Sequence, residues 1–258
     1  MALVGYDVAL GVATVTLDSP GNRNALSTAL LAELVDALRA ALADEAVRVI
    51  VLSHTGPVFC SGADLKETAA AVAAGELPIS RVGEVLELIW QSPKPVVARL
   101  AGPARAGGLG LVAAADLAVC TTAATFAFSE VRLGVIPAVI SATVLPRLSP
   151  RAAAELYLTG ATFDGVRAAE IGLVTAAVPA EALDETVRGY VAALVRGAPR
   201  ALAGAKQLLQ RPKADTLSDE IEALTAISVS YFGSPEGVEG VLAYREKRDP
   251  SWVPQETG

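Results

Sequence analysis

The chain contains few of the residues from which metal centres, disulfide frameworks and hydrolytic triads are built. Among its 258 residues there are two cysteines, Cys60 and Cys120, and one histidine, His54. Two cysteines make neither a disulfide framework nor a zinc-ligand spacing, and one histidine leaves a single candidate base for a hydrolytic triad. We therefore expect no metal site, and the simplest setting for so few thiols is a reducing cytoplasm.

Positive charge and long apolar runs are also scarce. The chain has 21 Lys and Arg against 28 Asp and Glu, a net charge of −7, whereas nucleic-acid binding needs a basic face. Charged residues, prolines or glycines interrupt every apolar run before it reaches transmembrane length. The N-terminus lacks the basic and apolar regions of a signal peptide. We therefore expect neither nucleic acid nor a membrane as a partner.

Residues able to form a core are plentiful, since 52% of the chain is hydrophobic. Strand and helix patterns alternate over residues 1–180, beginning with a hairpin turned at Gly11, and helical patterns alone fill residues 181–258. This division predicts an α/β core followed by a helical C-terminal region. Within that region, Leu217–Phe232 carries more apolar residues than a peripheral helix needs, which favours an interface between copies of the chain.

Residues 96–137 form the segment around which the rest of the chain is organised. An apolar strand pattern enters a Gly/Pro turn, and the turn opens onto Gly107, Gly108 and a helix of small residues. The N–H groups at the start of a helix have no intrahelical partner, and the helix dipole there favours negative charge. The turn therefore predicts a site for an anion or a developing oxyanion.

A carboxylate follows the short strand pattern at residues 125–128 in the same segment. This residue, Glu130, has apolar neighbours along the chain, namely Phe126, Phe128, Val131 and Ile136. Desolvation by such neighbours raises a carboxyl pKa toward the range that suits general acid–base catalysis. We therefore expect Glu130 to transfer protons.

The glycines of this segment have two interpretations. Gly108, Gly110 and Ala113 match G-x-G-x-x-A, and Glu130 lies about twenty residues further on, as in a dinucleotide-binding fingerprint. The long turn containing Pro103 argues against that fingerprint, and close packing of a helix explains the glycines equally well. A dinucleotide-dependent oxidoreductase therefore remains open from these residues alone.

A second turn of the same kind occupies residues 59–66. It reads F-C-S-G-A-D-L-K, follows a buried strand pattern and leads into a helix. Two such turns can place two backbone N–H groups on one carbonyl oxygen, an arrangement that stabilises an enolate. Removal of one such donor costs about 3 kcal/mol in other enzymes.

Together these motifs resemble the enoyl-CoA hydratase/isomerase (crotonase) family over nearly the whole chain. The resemblance rests on F-x-x-G-A-D-L-K, on A-G-P-A-R-A-G-G-L-G-L-V-A-A-A-D from Ala101 and on F-A-F-S-E-V-R-L-G-V-I-P from Phe126. Asn24, Ala25 and Leu26 and the C-terminal residues 232–250 add to it. Residues 134–141, G-V-I-P-A-V-I-S, resemble the branch that includes bacterial methylglutaconyl-CoA hydratases.

The resemblance implies a fold, a substrate and an assembly. The fold is an α/β spiral of strand–strand–helix turns with a helical C-terminal trimerisation region. The substrate is an acyl-CoA thioester in fatty acid metabolism, so coenzyme A is part of the substrate and no separate cofactor is implied. The assembly is a homo-trimer or a dimer of trimers.

The resemblance also implies the site residues. The two oxyanion-hole amides map to Ala63 and Gly107, and one of the two glutamates of the family's hydratases maps to Glu130. The other glutamate maps to Gly110, and Ala106 replaces the first of three family glycines. The residues expected to contact the substrate or its CoA moiety are Ala25, Ala63, Asp64, Leu65, Lys66, Arg105, Gly107, Gly108 and Lys247.

The missing glutamate leaves three functions open. One glutamate can in principle activate water and deliver a proton to Cα, which favours a hydratase. One glutamate suffices to move a proton between C2 and C4, as in an isomerase, and a noncatalytic acyl-CoA-binding homologue would need neither step.

Several residues have a structural interpretation beside the functional one. Asp64 can simply cap a helix, the cysteines can be small buried residues and His54 can be a loop or core histidine. Arg105 can form an ion pair at a surface or interface, or can bind a distal carboxylate of the acyl group.

Overall fold

The structure is a computed structural model that describes residues 2–74 and 80–254. The described residues form nine strands, β1 (Val4–Ala9), β2 (Val12–Leu17), β3 (Val49–His54), β4 (Val96–Leu100), β5 (Ala104–Arg105), β6 (Leu117–Thr121), β7 (Thr125–Ala127), β8 (Phe163–Asp164) and β9 (Ala176–Val178). The helices of the first half are α1 (Thr28–Ala43), α2 (Leu65–Ala74), α3 (Ser80–Trp90), α4 (Gly107–Ala114) and α5 (Ser141–Val144). Those of the second half are α6 (Pro150–Thr159), α7 (Gly165–Glu170), α8 (Leu183–Val195), α9 (Pro199–Gln210), α10 (Leu217–Phe232) and α11 (Pro235–Glu246).

Six strands form the main sheet in the order β1-β2-β3-β4-β6-β9, and β5, β7 and β8 form a smaller one. The expected hairpin is confirmed, since β1 and β2 pair antiparallel and Gly11 turns the chain with a φ of 77°. All other neighbours in the main sheet are parallel. The chain passes from β4 in the main sheet to β5 in the small sheet and then into α4. This step is the predicted strand–strand–helix turn.

The two faces of the main sheet are covered by different helices. The strand β3 is buried at all six positions, as expected for a parallel strand covered on both sides. One face packs in the main core with α1, α3 and α4. On the other face, Leu183 and Val187 of α8 pack against Val49, Val97 and Val119. A helix beyond residue 180 therefore still belongs to the sheet, because the second apolar face needs cover.

The last two helices leave the sheet. None of the sixteen described residues of α10 is buried, and α10 packs against α11. Both helices expose large apolar side chains, including Val229, Phe232 and Tyr244. In the described part of the chain no helix has the length and apolar character needed to cross a membrane.

Candidate active site

Two turns leave the same edge of the main sheet and run side by side. We call residues 55–63 the first turn, which follows β3, and residues 101–107 the second turn, which follows β4. Because β3 and β4 are parallel neighbours, their carboxyl ends lie together, and so do the two turns. Each turn leads into a helix, α2 or α4.

Backbone hydrogen bonds join the two turns along their length. The Phe59 amide donates to the Pro103 carbonyl over 3.0 Å, and the Arg105 amide donates to the Cys60 carbonyl over 2.9 Å. Near the end of the turns, a Cβ on Gly62 would lie only 2.8 Å from the Cβ of Ala106, and Gly62 has a φ of 91°. A larger residue there would push the turns apart.

The two amides assigned to the oxyanion hole lie at the ends of these turns. Leu26 lies beside both: its amide donates to the Gly62 carbonyl over 2.8 Å, and its Cδ1 would lie 2.7 Å from a Cβ on Gly107. Within residues 2–74 and 80–254, neither the Ala63 nor the Gly107 amide donates to a backbone carbonyl. Both donors are therefore available to a ligand, and their convergence on one oxygen remains a prediction.

The second turn carries a strained residue directly before Gly107. Ala106 precedes α4 with a φ of 47° and a ψ of −119°, a conformation that side chains with a Cβ rarely adopt. Such strain persists only where surrounding contacts hold it, and the hydrogen bonds between the turns supply those contacts.

Glu130 is buried directly after the small sheet. It begins a 3₁₀ turn, Glu130–Leu133, after β7. The side chain is 9% exposed, and its Oε2 atom has no hydrogen-bond partner among the described residues. Burial raises the pKa of Glu130 above its ordinary value, because desolvation disfavours the charged form. The expected direction of the pKa shift is confirmed.

The surroundings of Glu130 differ in part from the expectation. Phe126 and Phe128 are fully buried, but Val131 is 36% and Ile136 74% exposed. We expected these four neighbours to offer Glu130 little solvation; Glu130 is buried as expected, but Val131 and Ile136 are themselves exposed to solvent. They follow the strand in a 3₁₀ turn and loop, where the chain direction carries their side chains outward.

Another residue near Glu130 carried no signal in the sequence. Tyr157 of α6 packs on Phe128 with ring centroids 4.7 Å apart, and its hydroxyl lies 3.3 Å from the Ser141 hydroxyl. Burial raises the pKa of Tyr157, and the negative charge of Glu130 adds to the effect. The contact joins elements distant along the chain, so no local pattern could predict it.

Two apolar side chains lie close to Gly110, the position to which the resemblance maps the second glutamate. A Cβ on Gly110 would lie 2.6 Å from Ile140 Cγ2 and 3.2 Å from Leu86 Cδ2. A Cβ on Gly108 would likewise lie 2.7 Å from the Cβ of Cys60. Both glycines of the G-x-G-x-x-A match therefore allow close packing, and this interpretation of the pattern is confirmed.

The segment expected to bind CoA starts with a helix cap. Asp64 Oδ1 accepts the amide protons of Lys66 and Glu67 over 2.9 and 3.2 Å, so the capping interpretation is confirmed. Its Oδ2 accepts from the Asn22 side chain over 2.7 Å, and this bond and the amide bonds lower the pKa of Asp64. Leu65 and Lys66 are exposed beside it, while Ala25 is buried.

Arg105 and Lys247 have separate environments. The Arg105 guanidinium donates through Nη1 to the Ala104 and Thr125 carbonyls, and through Nη2 to the Thr125 hydroxyl over 2.9 Å. These bonds hold it at the start of β7, whereas Glu130 follows the end of that strand. Lys247 is exposed at the C-terminal end of α11. Their substrate contacts remain predictions.

The cysteines are packing residues. Cys60 and Cys120 are both buried and unpaired, and burial raises the pKa of each thiol to about 12. In the part of the chain described, no group of three or more His, Cys, Asp or Glu side chains is placed to hold a metal ion.

Comparisons with known proteins identify the family and the fold. Residues 7–255 match the family model described as enoyl-CoA hydratase/isomerase. The crystal structure of an enoyl-CoA hydratase from Mycobacterium smegmatis is 35% identical, covers 97% of this chain and 98% of its own, and superposes with a TM-score of 0.88.

Curated relatives carry more than one activity in their names. The 4-chlorobenzoyl coenzyme A dehalogenase-2 of an Arthrobacter species is 34% identical over 92% of this chain and 88% of its own length. The mitochondrial enoyl-CoA hydratase domain-containing protein 3 of Rattus norvegicus is 32% identical over 94% of this chain and 81% of its own. The names of relatives at this level of identity therefore do not agree on one reaction.

Proposed function

Because the chain belongs to the enoyl-CoA hydratase/isomerase family, we propose that it is an enoyl-CoA hydratase that adds water to a 2-enoyl-CoA thioester. The Ala63 and Gly107 amides hold the thioester oxygen while it carries the charge of an enolate. The observation that supports this proposal most is Glu130, a buried carboxylate with one unpartnered oxygen. A base with these properties is suited to proton transfer.

In the proposed reaction Glu130 acts twice. Its carboxylate takes a proton from water while the water oxygen forms a bond to C3, and the electrons of the double bond move to the thioester oxygen. The resulting enolate then takes the same proton from Glu130 at C2. The product is a 3-hydroxyacyl-CoA, and Glu130 returns to its ionised form.

An isomerase is the second candidate, and Gly110 favours it. Glycine supplies no second carboxylate at this position, and Ile140 and Leu86 lie close beside it. An isomerase needs only one: Glu130 removes a proton from C2 of a 3-enoyl-CoA and returns it at C4. A binding protein without turnover is the third candidate, but it would not need a buried carboxylate with a raised pKa.

A panel of substrates tests the three candidates. Purified protein is incubated with 2-enoyl and 3-enoyl thioesters of several chain lengths, and the conjugated enoyl absorbance is followed. Loss of that absorbance with 2-enoyl-CoA supports the hydratase, and its appearance with 3-enoyl-CoA supports the isomerase. Binding of acetoacetyl-CoA without turnover of any thioester would leave the binding protein.

For the CoA moiety, we propose contacts from two places. The turn at Ala63 and the following Asp64, Leu65 and Lys66 would contact CoA from one side, with Ala25 and the Gly107–Gly108 turn nearby. Lys66 and Lys247 would meet phosphates. Lys66→Glu should then raise KM for acyl-CoA without changing kcat. For a thioester of pantetheine, which lacks the nucleotide phosphates of CoA, KM should be the same in the variant and in wild type.

Arg105 is proposed to bind a carboxylate at the distal end of the acyl group, although its present bonds go to Ala104 and Thr125. Arg105→Ala should raise KM for a glutaconyl-type substrate and leave crotonyl-CoA unaffected. Equal effects on the two substrates reject this role.

The assembly is proposed to be a trimer or a dimer of trimers through the C-terminal helices. The support is the exposed apolar surface of α10 and α11, on which Val229 is 66% and Phe232 71% exposed. Light scattering at micromolar concentration should give three or six times the monomer mass, and a stable monomer contradicts the proposal. A cytoplasmic location and a role in fatty acid metabolism complete the proposal.

A further inference from the structure

His54 joins the two turns at their origin. It is the last residue of β3 and is 7% exposed. Its Nε2 atom accepts the amide proton of Ala101, the first residue of the second turn, over 3.0 Å. Its ring also meets Phe59 of the first turn edge to face, with centroids 5.5 Å apart. The side chain therefore contacts both turns.

These contacts belong to a series of bonds between the two turns that leads toward the Ala63 and Gly107 amides. After the bond from Ala101 to His54 come the bonds from Phe59 to Pro103 and from Arg105 to Cys60. In this series, the bond to His54 is made by a side chain, the imidazole, whereas the other two bonds join backbone groups. A change at the imidazole can therefore alter the spacing of the turns from their start.

The hydrogen bonds require one form of the ring. A backbone N–H can only donate, so Nε2 must carry a lone pair. The Nδ1 atom lies 3.3 Å from the Thr55 carbonyl, which can only accept, so Nδ1 carries the proton. Protonation of Nε2 would place two donors face to face and break the bond to Ala101.

The charges around the ring favour its neutral form. Burial lowers the pKa of His54, and the positive charge of Arg99 on β4 contributes, although backbone carbonyls oppose the shift. Arg99 itself pairs with Asp184 of α8 over 2.6 Å. On the β2 side, Asp18 accepts from the Thr55 hydroxyl over 2.6 Å. The nearby carboxylates thus have partners of their own.

We propose that His54 is a positioning residue for the oxyanion hole, whose neutral imidazole fixes the start of the second turn and so the spacing of the Ala63 and Gly107 amides. This inference rests on the proposed function, because it assumes that the two amides hold a thioester oxygen. Nothing in the inference makes His54 touch the substrate.

Two variants separate the hydrogen bond from the titration of the ring. His54→Gln keeps an acceptor and removes the titratable group, whereas His54→Leu removes the acceptor. We expect His54→Gln to keep kcat within about threefold of wild type near neutral pH. His54→Leu should lose on the order of 10- to 100-fold in kcat, as expected when reacting groups move by about 1 Å, and KM should change little.

The fraction of bound acetoacetyl-CoA that is present as enolate gives a readout without turnover. It should be lower in His54→Leu than in His54→Gln at equal occupancy. On acidification the enolate fraction should fall further in wild type than in His54→Gln. Protonation of Glu130 affects both proteins equally, so the difference between them reports the titration of His54. The chain has one histidine, so nitrogen-15 spectra of the wild-type imidazole report its tautomer directly and should show the proton on Nδ1.

The outcomes distinguish this inference from the proposed function. An Nε2-protonated ring overturns the inference, even if His54→Leu fails to fold. A folded His54→Leu with the kcat and enolate fraction of wild type also overturns it, as does equal behaviour of wild type and His54→Gln across the acidic range. Wild-type protein that binds no acyl-CoA rejects the proposed function and the inference together.

Discussion

At residue 130 a carboxylate is buried and one of its oxygens has no partner in the described structure, whereas at residue 110 the chain has no side chain and hydrocarbon fills the space. The first arrangement costs stability, because a buried charge loses its hydration. The second contributes stability, because Ile140 and Leu86 pack closely on Gly110. The resemblance to the family's hydratases maps their two glutamates to these two positions.

The contrast shows that stability is lost at residue 130 and not at residue 110. A buried carboxylate whose pKa is raised by desolvation is typical of a group retained for chemistry. At residue 110 the Cβ of a side chain would lie 2.6 Å from Ile140 Cγ2, so a glutamate there would require its neighbours to shift. In the proposed reaction Glu130 therefore carries every proton that a side chain transfers.

Removal of the carboxylate at residue 130 should give the largest effect. Glu130→Gln keeps the shape of the side chain and removes the base. General acid–base groups contribute about 10²- to 10⁴-fold, and for a sole group kcat should fall by about 10⁴-fold or more. Affinity for an unreactive acyl-CoA should stay within a few-fold of wild type. Steady-state kinetics and calorimetric titration measure the two quantities. If this variant kept the kcat of wild type, the carboxylate at residue 130 would not be needed for the reaction, and the proposed difference between residues 130 and 110 would be wrong.

Introduction of a carboxylate at residue 110 should damage the fold without improving hydration. Gly110→Glu places a Cβ where Ile140 Cγ2 lies 2.6 Å away, and overpacking of this kind costs about 1–3 kcal/mol before any cost of the buried charge. The midpoint of urea unfolding should fall accordingly. Gly189→Glu is a matched control, since nothing lies within 4 Å of a Cβ on that helical glycine. Equal stability of the two variants would show that residue 110 has room.

The charge of Glu130 should also be visible in stability, with a smaller effect. Burial raises the folded-state pKa of Glu130 above the ordinary value of 4.5, so the folded protein binds the proton more tightly than the unfolded chain. The resulting stability is present below the ordinary pKa and is lost as the pH rises through the folded-state pKa. Glu130→Gln should therefore raise the free energy of unfolding at neutral pH, by about 1.4 kcal/mol for each unit of the shift, and should add little near pH 4. Urea unfolding at both pH values tests this sign, and a loss of stability at neutral pH contradicts it.

Some parts of this site could be predicted from the sequence because their signals are local. Glu130 follows an apolar strand, Asp64 precedes a helix by the spacing of a cap, and the turns at Gly62 and Gly107 contain the glycines that close approach requires. Such features are fixed by residues a few positions apart.

Other parts depend on contacts between distant segments. Ile140 fills the space beside Gly110, Tyr157 packs on Phe128, and His54 accepts from Ala101. Each pair is joined only after the sheets and helices assemble, so composition and periodicity contain no trace of it. The same limit applies to Val131 and Ile136, which are apolar neighbours of Glu130 along the chain but are exposed in the structure.

The most direct test of the central claim is hydrogen–deuterium exchange at C2 of a saturated acyl-CoA in D₂O, followed by mass spectrometry. Exchange requires only that a base removes the C2 proton, that the hole holds the enolate oxygen and that a deuteron returns, so it does not depend on whether the enzyme is a hydratase or an isomerase. We expect wild-type protein to catalyse this exchange. With Glu130→Gln, the exchange should be no faster than that of the thioester in solution without protein. Exchange by Glu130→Gln at the wild-type rate would contradict the claim that Glu130 carries these protons.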